Sequence, residues 1–233
     1  MANLIALVAA SGTGKTTSLF PNEQIGIKGL SPKETVYINV ANKPLPVRGA
    51  FKLYPPDTHV KDGGNYLESS DIETIRKAIQ FVNASRPDIK NIIIDDAGYL
   101  MGFDVMKRSK EKGFEKWTEL AGSMFSLLND TRTVRRDVNI IFIFHQEEGK
   151  DGNLKIKTAG QLLDNTIYLD GLFTFIFYSV VQKDFKTGKI EYKFRTKSDG
   201  MSTCKTPVGC FDDEYIPNDM GYVIDKINEY YNG

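Results

Sequence analysis

The sequence predicts an α/β fold in which a mainly parallel sheet is flanked by helices on both faces. Continuous apolar runs of strand length, typical of strands buried on both faces, alternate with segments of helical periodicity. The first of these apolar runs leads directly into a glycine-rich loop. The last third of the chain departs from the alternation and predicts an antiparallel hairpin added to the sheet. We expect residues 1–233 to form a single domain.

The elements are predicted in chain order as follows. Leu4–Val8 is an apolar strand, and a helix should start near Lys15, with Pro21 limiting its first stretch to about two turns. The later predicted elements are the strand Thr35–Val40, a helix capped by Ser70 or Asp71, the strand Asn91–Ile94, a helix over 114–129, the strand Val138–Phe144, a hairpin of Leu172–Gln182 and Ile190–Thr196, and a terminal helix Asn218–Tyr231.

Composition excludes several classes of protein. Thirty basic residues balance thirty acidic ones, which argues against a generally basic nucleic-acid coat protein but leaves a local basic groove open. Cys204 and Cys210 are too few for a disulfide framework or a four-ligand zinc site, so we expect reduced thiols and a cytoplasmic location. The longest apolar stretches are shorter than the roughly 20 residues that span a bilayer, so no membrane partner is expected.

A phosphate-binding loop is predicted over residues 9–16, which read AASGTGKT. They match the pattern G-x-x-x-x-G-K-[ST] except that Ala9 replaces the first glycine. Gly12 and Gly14 allow the backbone to curl so that successive N–H groups point inward and form an anion site with the start of the following helix. A chance match is the alternative, but the position between a buried strand and a helix start argues against it. Ala9 is tolerable because it only begins the loop.

The loop implies ATP and Mg²⁺ as ligands. Lys15 would reach the β- and γ-phosphates, Thr16 would ligate Mg²⁺ through its hydroxyl, and Thr17 could touch the α-phosphate. The predicted nucleotide-binding residues are Ala10, Ser11, Gly12, Thr13, Gly14, Lys15, Thr16 and Thr17.

An acidic pair follows the strand at residues 91–94. Asp95 has the position of a Walker B carboxylate and would hold Mg²⁺ together with Thr16. Asp96 is the candidate base that orients or deprotonates the attacking water. The alternative for both is a polar turn, since Asp-Asp-Ala-Gly is also a turn sequence.

A second polar strand end follows Val138–Phe144. His145 and Gln146 stand there, and we predict that one of them senses the γ-phosphate or the water. In the RecA-like and AAA+ arrangement such a strand lies between the phosphate-loop strand and the Walker B strand. The alternative is an ordinary polar entry into a loop.

The order of several sequence blocks resembles phage-encoded AAA-type ATPases with a RecA-like core, a group related to phage single-strand annealing and recombination ATPases. The resemblance covers nearly the whole chain and implies a RecA-like fold, ATP hydrolysis and a place in phage DNA replication or recombination. Ala9 and Asp96 depart from the commonest RecA-like pattern. The blocks are the phosphate loop, Asn42–Pro46 (NKPLP), Ile94–Leu100 (IDDAGYL), Lys157–Gly160 (KTAG), Asp170–Phe175 (DGLFTF), Lys205–Phe211 (KTPVGCF) and Ile216–Asp219 (IPND).

Several basic residues are candidates for an arginine or lysine finger. Such a side chain comes from one subunit of a homo-oligomer and completes the active site of a neighbouring subunit. Arg195 and Lys205 are favoured because they lie in or near the C-terminal blocks of the resemblance. A solvated surface position is the alternative for each. Arg132, Arg135, Arg136 and Lys197 are the other candidates.

The leading functional hypothesis is an ATPase that acts on single-stranded DNA. Met106–Lys112 and Lys150–Lys157 are basic loops that could follow a DNA backbone, with Phe103 or Phe114 available to stack on bases. Solvated loops are the alternative. Two other functions remain open: a nucleotide or small-molecule kinase, and an ATP-dependent switch or assembly factor with little turnover.

Overall fold

The computed structural model describes residues 1–113, 115–158, 168–185 and 187–233. Its strands are β1 (Asn3–Ala9), β2 (Thr35–Asn39), β3 (Tyr66–Glu68), β4 (Asn91–Asp95), β5 (Asn139–Glu148), β6 (Leu154–Ile156), β7 (Phe175–Lys183), β8 (Ile190–Arg195) and β9 (Tyr215–Pro217). Its α-helices are α1 (Ala50–Leu53), α2 (Ile72–Ser85), α3 (Gly98–Lys107), α4 (Glu115–Thr131) and α5 (Met220–Asn232).

In the described ranges the strands form one sheet in the order β3-β2-β4-β5-β1-β7-β8-β9, and β6 pairs with the end of β5. The strands from β3 to β7 in this order run parallel, while β8 and β9 continue the sheet antiparallel. This confirms the predicted α/β class with its C-terminal antiparallel addition. Because β5 lies between β1 and β4, the strand order is that of a RecA-like core.

Helices cover both faces of the sheet, as predicted. Alternate residues of β1 enter opposite cores: Leu4, Ala6 and Val8 face one, and Ile5 and Leu7 face the other. The first core is completed by α2, α3 and α4, and the second by α5 with the short segments after β1 and before β3. The helices α2 and α5 meet these cores through apolar residues at helical spacing, namely Ile75, Ile79 and Val82, and Val223, Ile224 and Ile227.

The prediction that a helix starts near Lys15 is wrong. Only a 3₁₀ turn, Thr17–Leu19, follows the loop, and Phe20 is already extended at φ −106° and ψ 140°. Phe20 precedes Pro21, and the proline ring disfavours helical backbone in the residue before it. The Leu30 N–H then donates to the Leu19 carbonyl, so a returning segment takes an acceptor that a longer helix would have used.

Several short elements were absent from the prediction. The strands β3, β6 and β9 have three residues each, too few for a recognisable alternation. The strand β5 runs to Glu148, beyond the predicted end at Phe144, because β6 pairs antiparallel with its last residues. His145 and Gln146 are therefore strand residues. No helix in the described ranges is long and apolar enough to cross a membrane.

Candidate functional site

The phosphate loop has the backbone that the sequence pattern predicts. Gly12 and Gly14 adopt φ of 80° and 82°, in the left-handed region that favours glycine. Ala9 is the last residue of β1 and its φ is not positive, so this position does not require glycine. The N-terminus of a long helix is missing here. Any anion must therefore be bound by the N–H groups of the loop itself and by nearby side chains.

Two residues far along the chain hold the loop in place. The Ser179 hydroxyl of β7 donates to the Thr13 carbonyl at 2.5 Å, and the Asn218 side-chain amide donates to Ser179 Oγ at 2.8 Å. Within the loop, the Thr13 hydroxyl donates to the Ala10 carbonyl at 2.9 Å. Sequence reasoning missed Ser179 and Asn218. The available signals were a serine among the apolar residues that begin β7 and the place of Asn218 in the IPND block.

The predicted metal ligands come together. Thr16 Oγ1 donates to Asp95 Oδ2 at 3.5 Å, across the space between the loop and the end of β4. Asp95 is buried, and its Oδ1 has no hydrogen-bond partner in the described part of the chain. Leaving a buried carboxylate oxygen unpaired is costly, so this atom fits a ligand position for a cation. The residues present are therefore suited to Mg²⁺.

Tyr37 of β2 is a second partner of Asp95 that the sequence did not reveal. Its buried hydroxyl donates to Asp95 Oδ2. Burial raises the pKa of Tyr37 well above its ordinary value, and the Asp95 carboxylate raises it further, so the phenol remains a donor. Burial also raises the pKa of Asp95, although the Tyr37 hydrogen bond and the Lys15 charge oppose this shift.

Asp96 and His145 also meet. Asp96 is buried in a left-handed conformation with φ 58°, which is uncommon for a residue other than glycine. One oxygen forms an ion pair with the Lys43 ammonium, and the other lies 3.3 Å from His145 Nε2. Burial lowers the pKa of Lys43, but the Asp96 and Asp95 carboxylates outweigh this effect, and the net pKa is raised. Lys43, which lies in the NKPLP block, thus belongs to the site.

His145 is a neutral imidazole near pH 7. Burial lowers its pKa, and the Lys15 charge lowers it further against the opposing effect of Asp96. Its ring makes an edge-on contact with Tyr99, with 5.8 Å between centroids. His145 and Gln146 line a cleft of about 570 Å³ beside the loop, together with Ala10, Ser11, Tyr99 and Lys157.

Lys15 carries a positive charge that is unpaired within the described part of the chain. It is half-buried, and within the described residues its ammonium has no hydrogen bond or ion pair. Its charge lowers the pKa of both Asp95 and His145, which places it near both side chains. An unpaired lysine at this point of the loop is available to phosphate oxygens.

The favoured finger candidates are engaged with residues outside the loop. Arg195 is engaged in ion pairs with Asp199 at 2.7 Å and Glu214 at 2.8 Å. Lys205 stands beside Asp170, where its charge opposes the rise that burial causes in the pKa of that carboxyl. In the described ranges no hydrogen bond or ion pair joins Arg195 or Lys205 to residues 9–16. Their role in a neighbouring subunit stays a prediction.

One basic residue in each of the two basic loops is paired with acidic side chains. Arg108 pairs with Glu111 at 2.8 Å and with Glu119 at 2.7 Å, while Lys155 pairs with Glu147 at 3.2 Å. The stacking candidate Phe103 packs its ring on Tyr99, 5.4 Å between centroids. The other candidate, Phe114, lies outside the described residues, as do Ala159 and Gly160 of the KTAG block.

Comparisons with known proteins find similarity at the level of structure. No protein-family profile matches the sequence, and no curated protein matches it. The chain is similar to the crystal structure of flagellar accessory protein FlaH from Methanocaldococcus jannaschii, at 10% sequence identity and a TM-score of 0.42. The similarity covers 83% of this chain and 76% of FlaH.

Proposed function

We propose that this protein binds ATP with Mg²⁺ through residues 9–16 and hydrolyses it. The observation that carries the proposal is the buried Asp95 carboxylate, which accepts from Thr16 and has one oxygen without a partner in the described ranges. The loop has two left-handed glycines, and its lysine makes no ion pair within the described residues. The combination suits a cation that bridges protein oxygens and phosphate oxygens.

Each residue has a part that follows from its position. The loop N–H groups and Lys15 bind phosphate oxygens, and Thr16 and Asp95 would hold Mg²⁺, which would neutralise phosphate charge when bound. Tyr37 fixes the orientation of Asp95 by donating to it. The described residues contain no group of three or more His, Cys, Asp and Glu that could hold a metal. That fits an ion taking its remaining ligands from phosphates and water.

The Lys43, Asp96 and His145 group is suited to orienting the attacking water. Asp96 forms an ion pair with the Lys43 ammonium, and the neutral His145 ring lies 3.3 Å from the other carboxylate oxygen. An ionised carboxylate can accept a proton or a hydrogen bond from water, and a neutral imidazole can do the same. We therefore assign Asp96 as the base and His145 as its positioning partner.

Phosphate release with Mg²⁺ and ATP tests the proposal. The wild type should turn over, and Asp95→Asn should lose about 100-fold or more of the rate because a neutral amide binds Mg²⁺ poorly. Asp57→Asn, an exposed loop carboxylate, is the matched control and should retain wild-type turnover.

Three outcomes would contradict this assignment. Turnover that requires a nucleoside monophosphate or another acceptor would indicate a kinase. Tight ATP binding without turnover would indicate a switch or assembly factor. Equal rates for Asp95→Asn and wild type would exclude Asp95 from the metal site.

We further propose that the protein acts on single-stranded DNA in phage replication or recombination. It would act as a homo-oligomer in which Lys205 or Arg195 of one subunit completes the site of the next. The support is the resemblance of the sequence blocks. The expected result is that single-stranded DNA increases phosphate release by the wild type. Double-stranded DNA of the same length is the control, and an unchanged rate over a range of DNA concentrations at low salt would count against this role.

A further inference from the structure

A second cleft opens on the other side of the phosphate loop. It has a volume of about 880 Å³ and is bounded by Gly12, Gly14 and Thr17 on one side and by Ile190 and Tyr192 of β8 on the other. Ile25, in the segment after the loop, lies at its margin. We call it the β8 cleft.

The sheet order places the β8 cleft opposite the hydrolytic groups. The strand β1 lies between β5, which carries His145, and β7, which leads to β8. The terminal phosphate would face the β5 side, where Asp96 and His145 meet. Thr17, assigned to the α-phosphate, lines the β8 cleft. A nucleotide held in this direction would carry its sugar and base into the β8 cleft.

The β8 cleft is apolar and open to solvent. Its apolar side chains are exposed to water, and this exposure does not stabilise the protein. Tyr192 is 48% exposed, Ile190 is 55% exposed and Ile25 is 61% exposed. Glu191, the acidic residue of this strand, is paired with Lys193 at 3.0 Å and Lys189 at 3.3 Å. Its negative charge is therefore compensated and does not repel a nucleotide. Such a surface, concave and mainly apolar with a few polar groups, is typical of small-molecule sites.

Tyr192 is held directly against the loop. A Cβ atom built on Gly14 would lie 3.2 Å from Tyr192 Cδ1 and 3.1 Å from Asn218 Oδ1. The ring thus borders the same glycine that shapes the phosphate site. An aromatic ring next to the phosphates is available to stack on a nucleobase.

We propose that the β8 cleft binds the ribose and base of the nucleotide, with the base stacked on Tyr192. This inference depends on the proposed function, because the phosphates must lie in the loop for the base to reach the β8 cleft. It adds Tyr192 as the residue that distinguishes a nucleoside triphosphate from a bare triphosphate.

The test compares the binding of ATP and inorganic triphosphate, both with Mg²⁺, by titration calorimetry. Tyr192→Ala is expected to weaken ATP binding about 10-fold, in the range measured for loss of base stacking, and to change triphosphate binding less than about twofold. Tyr192→Phe keeps the ring and should bind ATP within about twofold of wild type. Tyr230→Ala, a tyrosine of similar exposure on α5, is the matched control. Urea unfolding midpoints establish that the variants are folded.

The experiment distinguishes a failure of the proposed function from a failure of this inference alone. If the wild type binds neither ligand, both the proposed function and this inference are contradicted. If the wild type binds triphosphate as tightly as ATP, or if Tyr192→Ala weakens both ligands equally or neither, only this inference is overturned. A selective loss of ATP binding in Tyr192→Ala, restored in Tyr192→Phe, supports it.

Discussion

Replacing Lys15 with alanine is expected to lower the rate of phosphate release about 100- to 1,000-fold. This is the range typical for removing one group that stabilises transition-state charge. Lys15 is the residue of the loop whose positive charge acts on both Asp95 and His145, and within the described residues it is unpaired. Its loss would leave the charge developing on the phosphates less compensated. The measurement is single-turnover phosphate release with Mg²⁺ and ATP.

Lys33→Ala is the control for Lys15→Ala. Lys33 is exposed, and its removal subtracts the same charge away from the loop, so it should retain the wild-type rate. The unfolding free energy of Lys15→Ala should match that of the wild type within about 0.5 kcal/mol, because within the described residues the Lys15 ammonium has no hydrogen bond or ion pair to lose. A Lys15→Ala protein that hydrolyses ATP at the wild-type rate would remove Lys15 from the mechanism.

Replacing Gly221 with alanine is expected to lower the free energy of unfolding by about 3 kcal/mol, at the upper end for overpacking. A Cβ atom at Gly221 would lie 2.2 Å from the Gly29 carbonyl oxygen, which is backbone and cannot rotate away. Asp219 locks this contact, because its Oδ1 accepts from the N–H groups of both Gly29 and Gly221 at 2.9 Å. Helix α5 would have to shift to make room. Urea denaturation measures the change.

Gly122→Ala is the matched control in another helix. Gly122 lies in α4, and a Cβ atom there would meet nothing within 4 Å. Alanine lowers the entropy lost on folding, so this variant should gain about 0.5–1 kcal/mol of unfolding free energy. If Gly221→Ala were as stable as wild type, the close approach of α5 to the segment around Gly29 would be wrong.

Local features of the site could be predicted from the sequence because each depends on neighbouring residues. A glycine pattern specifies left-handed backbone at Gly12 and Gly14, and both positions have it. An apolar run followed by polar residues specifies a buried strand that leads into polar residues, as β4 does at Asp95 and the apolar part of β5 does at His145. Neighbouring parallel strands run in the same direction, so these polar residues lie at the same side of the sheet.

The effect of Pro21 on the backbone is equally local, but it is stronger than the sequence analysis predicted. Pro21 was expected to limit the helix to about two turns. Instead, the proline disfavours helical backbone at Phe20, which is extended, and only one 3₁₀ turn precedes it. The proposed anion site therefore lacks the helix N-terminus expected from the sequence. It would depend on the loop backbone and on Lys15 instead.

Tertiary structure alone decided which distant residues complete the site. Tyr37 reaches Asp95 because β2 pairs with β4, and Ser179 supports the loop because β7 pairs with β1. Lys43 reaches Asp96 and Tyr192 borders Gly14 from segments about 150 residues apart in the chain. The sequence by itself determined the loop and the strand tips, since their chemistry is encoded in consecutive residues. Their partners depend on strand order and sheet curvature, which consecutive residues do not encode.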